Sequence, residues 1–439
     1  MSALAQQWSD SFHSGSQLSG PAWLDELRKQ AADQLKENEL PHRKLEAWKY
    51  TPMRVLETLN PVIRSSVGIT TDRDDGTPGA RLAEKPDCVI EIHDGVVTTQ
   101  HGNDVAGVSI LSLSQGLELY EDSLRRQIEA VDIAGSTRMF AALNTAFLEN
   151  GLVIHIDEQS DGGSMLLRWT TSGQAEASID NFRIFLLLES GSRLQLTEQF
   201  ESGSSSGHAL NVMSHLELGK NSSLDHVRVQ KESENTVLIS STRASLAEGS
   251  RYTYAGFDLG GGLVRHDLHA ELAGAGAHAA FNGAFVLDGQ RHVDNHVSVD
   301  HAAPDCSSEQ FFRGVLGGRS RGVFNGKALI RPGADGSSVR QSNANLLLSG
   351  LAEMDTKPEL EIYADEVVAS HGATVGQLDE IAVFYLRSRG LSESAARRML
   401  TAAFCRAATD KLENPGLAGR IAELIDEVMP SVTSALSTL

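Results

Sequence analysis

Five histidines crowd one stretch of the chain and are the first residues whose type could do chemistry: His266, His269, His292, His296 and His301. On a helix, two histidines four residues apart share one face and can bind zinc, but His292 and His296 lie in strand-like sequence without the glutamate of that motif. In a strand, residues four apart are separated by about 13 Å, too far to ligate one ion. We therefore predict that these histidines lie on the surface or stack along successive strands. A stand-alone metal-binding protein that uses this group is kept as an alternative.

A sixth histidine, His371, lies within residues 361–380, where the sequence changes from strand-like to helical. A change of backbone conformation at that point would expose side chains. A neutral imidazole binds iron or zinc, but one histidine does not make a site, so a partner would have to supply the remaining ligands. From the residues alone, a hydrogen-bonded loop histidine is the simpler interpretation.

The remaining motifs give no pattern for catalysis. The glycine-rich segments 257–264 and 315–324 lack the spacing of phosphate-binding loops, and no convincing pair of a nucleophile and a base emerges. Cys88, Cys306 and Cys405 lie far apart and form no Cys-x-x-Cys pair, so their spacing predicts neither a disulfide framework nor a cysteine-only metal site. Catalysis is therefore unsupported by the sequence pattern.

The elements that position these residues follow a repeated pattern. From about Cys88 to Asp365, short alternating segments are separated by Gly, Asn, Asp and Ser, which is typical of strands and turns, and helical periodicity is scarce. Leucines recur at intervals of 30, 28 and 26 residues, at Leu188, Leu218, Leu246 and Leu272. A small turn residue follows each at the same offset: Ser192, Ser222, Ser250 and Gly276.

Turn residues at nearly constant spacing between alternating strands predict stacked coils, as in a parallel β-helix, because each coil buries its apolar face only against the next. A β-sandwich with regular turns is the alternative fold. Because β-helices often carry carbohydrate-active enzymes, that function is a rival hypothesis. An aromatic content of 5% and the lack of an evident pair of catalytic acids count against it.

Helices are predicted at both ends of the chain. Leu24, Leu27, Ala31 and Leu35 recur at helical spacing after Pro21. Near the C-terminus we expect a helix that ends at Gly390, a second helix with Ser392 as its N-cap, and a third between Pro415 and Pro430. The polar stretch 70–79 is expected to be a loop or domain boundary. The expected domains are an N-terminal helical domain (1–85), a β-helix core (86–370) and a C-terminal helical domain (371–439).

The composition narrows the classes of partner. The chain of 439 residues has 58 acidic and 38 basic residues and a formal charge of −20, which argues against a nucleic-acid partner. No run approaches the ~18 apolar residues that a membrane span needs, and the first residues lack a basic region followed by an apolar one. We therefore expect a cytoplasmic protein.

Two segments carry a family resemblance. Residues 325–367 and 370–390 resemble, nearly throughout, the C-terminal hallmark of the SufB/SufD family of iron–sulfur cluster assembly scaffolds. Residues 42–51 match the family's Arg-x-x-Glu-x-Trp-Lys-Tyr-Thr feature through Arg43, Glu46, Trp48, Lys49, Tyr50 and Thr51. Ser370 and Gly372 flank His371 where SufB members have glutamates, so the segment is closer to the SufD members.

The resemblance implies a mainly β fold, a right-handed parallel β-helix with helical ends, and a scaffold that is not an enzyme. It implies a heterodimer with SufB, docking of the SufC ATPase on the C-terminal helices, and a homodimer when the chain is alone. It also implies that His371, within residues 370–374, is a ligand of iron or of a transient iron–sulfur cluster shared with SufB, with none tightly bound to the isolated chain. Many SufD sequences have cysteine where this chain has Ala369, so no thiolate comes from that position. Cys306 and Cys405 are interpreted as core or incidental residues.

Overall fold

The computed structural model describes residues 2–15, 18–64, 82, 86–102, 105–171, 176–202 and 207–434. The polar stretch 70–79, which was expected to be a loop or boundary, lies outside these ranges. Among the helices in these ranges, none combines the length and apolar character that a membrane span requires.

The chain begins with helices, as expected for its N-terminal part, and also has short strands. They are α1 (Ala3–Ser14), α2 (Ala22–Glu37), α3 (Arg54–Leu59), β1 (Val62–Ile63), β2 (Cys88–His93), β3 (Val96–Gly102) and β4 (Val108–Ser112), with a 3₁₀ helix at Glu46–Trp48. In α2 the apolar residues at helical spacing form one buried face, on which Leu24, Ala31 and Leu35 lie. The predicted helix after Pro21 is therefore confirmed.

Three further helices lie where strands were expected, so the expectation of scarce helix between Cys88 and Asp365 is wrong here. They are α4 (Leu113–Leu119), α5 (Glu121–Glu129) and α6 (Met139–Ala146), with a 3₁₀ helix at Ser136–Arg138. Each has between 7 and 9 residues, about two turns, which is too short to show a clear helical period. At α4, capping stabilises the short helix, because Ser112 and Gln115 form a reciprocal capping box.

The long middle of the chain is a parallel β-solenoid of about seven turns. Its strands are β5 (Gly151–Ile156), β6 (Asp161–Thr171), β7 (Ser178–Leu188), β8 (Arg193–Ser202), β9 (His208–Leu218), β10 (Ser223–Lys231), β11 (Thr236–Leu246), β12 (Arg251–Asp258), β13 (Leu263–Leu272), β14 (His278–Leu287), β15 (His292–His301), β16 (Ser307–Leu316), β17 (Arg321–Ile330), β18 (Ser338–Leu347), β19 (Glu353–Ile362) and β20 (Val368–Gly376). From β5 onward the odd-numbered strands stack in one parallel sheet, the odd sheet, and from β6 onward the even-numbered strands stack in the other, the even sheet. The odd sheet ends on β19 and the even sheet on β20. The predicted β-helix is therefore confirmed, and the sandwich alternative is wrong.

The repeated leucines occupy equivalent positions on successive strands of the odd sheet. Leu188, Leu218, Leu246 and Leu272 are aligned on four successive strands. At three of the turns that follow, a buried serine hydroxyl donates at 2.7 Å to the carbonyl three residues earlier, in Ser192, Ser222 and Ser250. The residue before each serine has a positive φ, which favours Gly or Asn.

The fourth repeat is displaced by one residue from its predicted alignment. Gly276 has the positive φ, and Ala277 takes the position of the serines. Tyr252 pairs with Ala279 rather than with His278. The cause is one extra residue in this turn, where the amides of Ala273 and Gly274 both donate to the carbonyl of Leu246.

Helices cover the outer face of each sheet. The N-terminal helices and α6 pack on the odd sheet, where Ile179, Ala209 and Ile239 join their apolar core. The C-terminal helices, α7 (Glu380–Ser388), α8 (Glu393–Thr409) and α9 (Pro415–Ser434), follow the solenoid, and α8 and α9 contact β14 of the even sheet. The side chain of Ser392 caps α8, and Gly390 has a positive φ after α7, as predicted.

Two boundaries differ from the sequence-based expectation. Helix α9 runs to Ser434 and passes through Pro430, which was expected to end it. Strand β20 ends at Gly376, so the expected division between residues 370 and 371 falls inside the last strand of the solenoid. This placement decides the surroundings of His371.

Candidate functional site

His371 lies in β20, an edge strand of the even sheet, and its side chain is exposed. It was expected at a transition into helix, and the loop interpretation is wrong because the residue is in a strand. The exposure at the end of the solenoid agrees with the expectation. Ala369, two residues earlier and therefore on the same face of the strand, packs against the interior residue Val339.

His371 is the last member of a row of side chains that runs along the inside of the solenoid. It is aligned with Gln341 of β18, which is aligned with Gln310 of β16 and then with Phe281 of β14. Neighbouring strands are about 4.8 Å apart, so the imidazole follows directly on the Gln341 amide. His371 is exposed only because β20 is the last strand of its sheet.

The interior directly below His371 is lined by amide side chains. Gln341 is 4% exposed, and neither its amide nitrogen nor its amide oxygen has a partner among the described residues. Asn345 donates to Asn343 at 2.7 Å, and Thr356 donates to Asn343 at 2.9 Å. This row of amides gives the open end of the solenoid hydrogen-bonding groups next to a potential metal ligand.

The open end also exposes large apolar side chains. Val368 and Val375 of β20 are 72% and 44% exposed, and Tyr363, between the last two strands, is 62% exposed. No described strand pairs with the free edges of β19 and β20, which leaves backbone donors and acceptors open for pairing with another chain. This surface has the features of a protein–protein interface.

A second exposed apolar surface lies on the C-terminal helices, and we refer to it as the helical patch. Ile381, Phe384 and Tyr385 of α7 share one helix face and are 78%, 69% and 55% exposed, and Met399 of α8 is 56% exposed. Arg397 of α8 bonds Glu380 of α7 at 2.9 Å and so ties the two helices together.

The crowded histidines do not form a site. In the register each faces a residue other than a histidine, and they divide between two faces of the odd sheet. His266 and His301 point inward and are buried, where His266 lies 2.6 Å from Ser240 and His301 lies 2.8 Å from Ser308. A surface position is therefore wrong for these two. Within the described ranges, no three His, Cys, Asp or Glu side chains converge to hold a metal ion.

The three cysteines are buried and unpaired. Burial raises the pKa of the Cys405 thiol far above its usual value, and burial also raises the pKa of Cys306. The Cys306 sulfur lies 3.3 Å from the carbonyl oxygen of Gly274 in a turn of the solenoid. Because the thiolate is the reactive form, these side chains are suited to packing rather than to chemistry.

The motif at residues 42–51 attaches the N-terminal segment to the odd sheet. Trp48 is buried under Arg265, whose guanidinium carbon lies 3.9 Å from the centre of the indole ring. The Thr51 hydroxyl donates to the buried carboxylate of Asp294, and Glu46 bonds Lys357 at 2.8 Å. Glu46, Trp48 and Thr51 of this motif therefore hold the N-terminal segment against the solenoid.

Gln341 and its neighbours were not singled out in the sequence. The sequence does contain a spacing that could have identified this row. Intervals of 31 and 30 residues, about the repeat length of the solenoid, separate Gln310, Gln341 and His371. The intervals alone do not tell whether such a row points inward. That follows from the apolar residues of the same strands that fill the interior.

Comparison with known proteins gives one consistent result. The family model described as "SUF system FeS cluster assembly, SufBD core domain" matches residues 170–404, which include most of the solenoid, His371 and the helical patch. The iron-sulfur cluster assembly protein SufD of Escherichia coli (strain K12) is 28% identical, over 97% of this chain and 96% of that protein.

Two further relatives agree with this match. An iron-sulfur cluster assembly SufBD family protein of Synechocystis sp. is 27% identical, over 91% of this chain and 89% of that protein. A SufBD family protein of Mycobacterium tuberculosis is 32% identical over a shorter stretch, 47% of this chain and 54% of that protein. These similarities favour cluster assembly over carbohydrate chemistry.

Proposed function

The chain belongs to the SufBD family of iron–sulfur cluster assembly proteins, and on that premise we propose that it is a scaffold subunit without enzymatic activity of its own. It pairs with SufB, docks the SufC ATPase and presents His371 to the cluster under assembly. The observation that carries the proposal is the position of His371, an exposed imidazole at the end of an interior row, on a solenoid end that is open to a partner.

The open end of the solenoid is the surface that pairs with SufB. Its free strand edges can continue both sheets into a second solenoid, and Val368 and Tyr363 would be buried there. In the absence of SufB the same surface pairs with a second copy of this chain, because a two-fold interface uses one patch on both subunits. Both assemblies form in the cytoplasm.

His371 supplies one ligand, and the cargo is iron or a nascent iron–sulfur cluster. A single imidazole cannot hold either tightly, and Ala369 offers no thiolate, so SufB must supply the other ligands. The isolated chain is therefore expected to contain little bound iron. Cargo is held only when the interface is formed.

The helical patch is the docking surface for SufC. Three of its apolar side chains are more than half exposed on a short helix that leads directly from β20. Movement of SufC would therefore be transmitted to the strand that carries His371.

The test is to express the tagged chain with SufB and SufC and to measure the mass and composition of the recovered complex. Phe384→Ser should lose SufC and keep SufB, because it removes an aromatic anchor from the helical patch. Val368→Lys should lose SufB, because it places a charge on the pairing edge. Leu119→Ser is the matched control, since Leu119 is 66% exposed on α4, away from both surfaces.

His371→Ala should leave all three subunits together and lower the iron and acid-labile sulfide of the anaerobically purified complex at least about tenfold, as for loss of a metal ligand. Ser370→Ala is its control, because adjacent strand residues point to opposite faces. Recovery of the chain with neither SufB nor SufC would overturn the proposed partners. Wild-type iron content in the His371→Ala complex would overturn the ligand assignment alone.

A further inference from the structure

A cleft lies between the N-terminal segment and the outer face of the odd sheet. Its volume is about 390 Å³. Trp48, Arg138 and Phe140 line it on the helical side, and Arg243 and His269 of strands β11 and β13 line it on the sheet side. This volume is in the range of small-molecule sites and far below what a macromolecule would need.

Two arginines, Arg243 in the lining of the cleft and Arg183 buried behind it, have no hydrogen-bonded carboxylate partner among the described residues. Arg183 of β7 is completely buried; it donates to Asn144 and Thr145 at 2.9 Å, and its Nη1 has no partner. Its other terminal nitrogen contacts the sulfur of Met213, a residue of the cleft wall, at 3.4 Å. Arg243 makes no hydrogen bond or ion pair within the described ranges. A buried guanidinium without a counter-charge is strongly unfavourable unless something else supplies the charge.

The electrostatics of the surrounding residues agree with an uncompensated positive charge. Burial and then the nearby Arg243 lower the pKa of Arg183 to about 9. Burial and then the charges of Arg183 and Arg243 hold the pKa of His215 well below its usual value. The His215 ring is stacked on Phe185, and its Nε2 is buried without a partner in the described structure.

The carboxylates near the cleft are already engaged by other groups. Asp267 accepts two hydrogen bonds from Arg265, at 2.8 and 3.1 Å. Asp294 is paired with the same arginine at 2.5 Å, and Asp132 is paired with Arg138 at 3.2 Å. Among the described residues, Arg183 is therefore left without a carboxylate partner, and Arg243 interacts only with the charges of Asp132 and Asp267, which are bonded to other arginines.

We propose that this cleft binds a small ligand through a phosphate or carboxylate group, held by Arg243 with Arg183 and His215 behind it. The planar guanidinium fork matches such oxyanions, and the two share this recognition chemistry. Trp48 and Phe140 give the remainder of the cleft an aromatic wall for the organic part of the ligand. The proposal does not depend on the function assigned to His371.

The experiment titrates the full chain with inorganic phosphate and, separately, with malonate, against sodium chloride at matched ionic strength. Isothermal titration calorimetry gives Kd, and the Tm is followed in parallel. Phosphate or malonate should bind saturably and raise the Tm, and Arg243→Gln should weaken the Kd at least about tenfold, as expected for one charge-assisted hydrogen bond. Arg243→Lys should weaken it less, since the charge remains and the fork is lost.

Arg193→Gln is the matched control for loss of one positive charge, because Arg193 is 69% exposed on β8 and paired with Asp161 outside the cleft. Its Kd should equal that of the wild type. Binding of malonate alone supports the proposal with a carboxylate ligand, and binding of phosphate alone supports it with a phosphate ligand. Absence of saturable binding of both anions, or equal weakening by Arg193→Gln and Arg243→Gln, would overturn it.

Discussion

Asp294→Ala tests how the N-terminal segment is attached to the solenoid. Asp294 and Arg265 are 1% and 2% exposed, and the carboxylate accepts from Arg265 and Thr51 and lies 3.0 Å from His296. Removing one partner of a buried pair costs about 3–5 kcal/mol. Because Arg265 keeps its bond to Asp267, we expect the lower end, about 3 kcal/mol. Urea unfolding at pH 7 measures this as a lower midpoint with an unchanged slope.

Asp267→Ala is the matched control because it removes a carboxylate from the same arginine. The Asp267 side chain is 39% exposed, so its ion pair is screened by water and should contribute about 1 kcal/mol or less. If Asp294→Ala lowered the unfolding free energy no more than Asp267→Ala, the reasoning from burial would be refuted.

The same pair predicts a pH dependence. Burial alone would raise the pKa of Asp294. The charges of Arg265 and His296 outweigh burial and hold this pKa well below its usual range. A carboxyl with a depressed folded-state pKa contributes stability above its unfolded value of about 3.9, and that stability is lost as the pH falls toward the folded value. The difference in unfolding free energy between wild type and Asp294→Ala should therefore be full at pH 7 and smaller at pH 3. An equal difference at both pH values would contradict this assignment.

Three further predictions concern other buried groups. Burial raises the pKa of Glu232 to about 7, so the free energy of unfolding should fall as the pH rises from about 4.3 to 7. Glu232→Gln should make the urea midpoint depend less steeply on pH over this range. An unchanged pH dependence would contradict the assignment. Gln341→Leu removes a buried amide that has no partner among the described residues, so the Tm should stay equal or rise. A Tm lower by more than about 2 °C would show that the amide is bonded. Trp48→Ala leaves a cavity next to Arg265 and Phe140 and should lower the free energy of unfolding by about 3–5 kcal/mol. It should also speed proteolysis of residues 38–60. Proteolysis at the wild-type rate would contradict the view that Trp48 attaches the N-terminal segment to the solenoid.

Much of the candidate site could be reached from the sequence. His371 was identified by its position near the end of the strand-like region and by family resemblance, and it does lie exposed at the end of the solenoid. Its role as a ligand stays a prediction. The sequence did not reveal that His371 is the last residue of an interior row in which Gln341 precedes it. To predict this row, one must know which face of β20 points into the solenoid.

The cleft with the unpaired arginines could not be predicted from the sequence either. Arg183 and Arg243 lie on strands β7 and β11. Trp48 is 135 and 195 residues away from them in the chain, and Arg138 is 45 and 105 residues away. Arg138, Arg183 and Arg243 belong to no motif with a recognised spacing. Only the packing of the N-terminal segment and of residues 136–146 on the odd sheet brings Trp48, Arg138 and Arg243 to one cleft, with Arg183 behind Met213 of its wall.

By itself the sequence determined the coils, their repeat of nearly 30 residues, and the helix ends at Gly390 and Ser392. These features depend on turn and cap chemistry within a few residues, which the local sequence encodes. It did not determine α4 to α6, the shift at Ala273, or which histidines are inside. Those depend on the register between strands one coil apart, and one extra residue in a turn moves every following side chain relative to its expected position. Only the tertiary structure fixes that register, because it is the packing of each coil on the next that selects it.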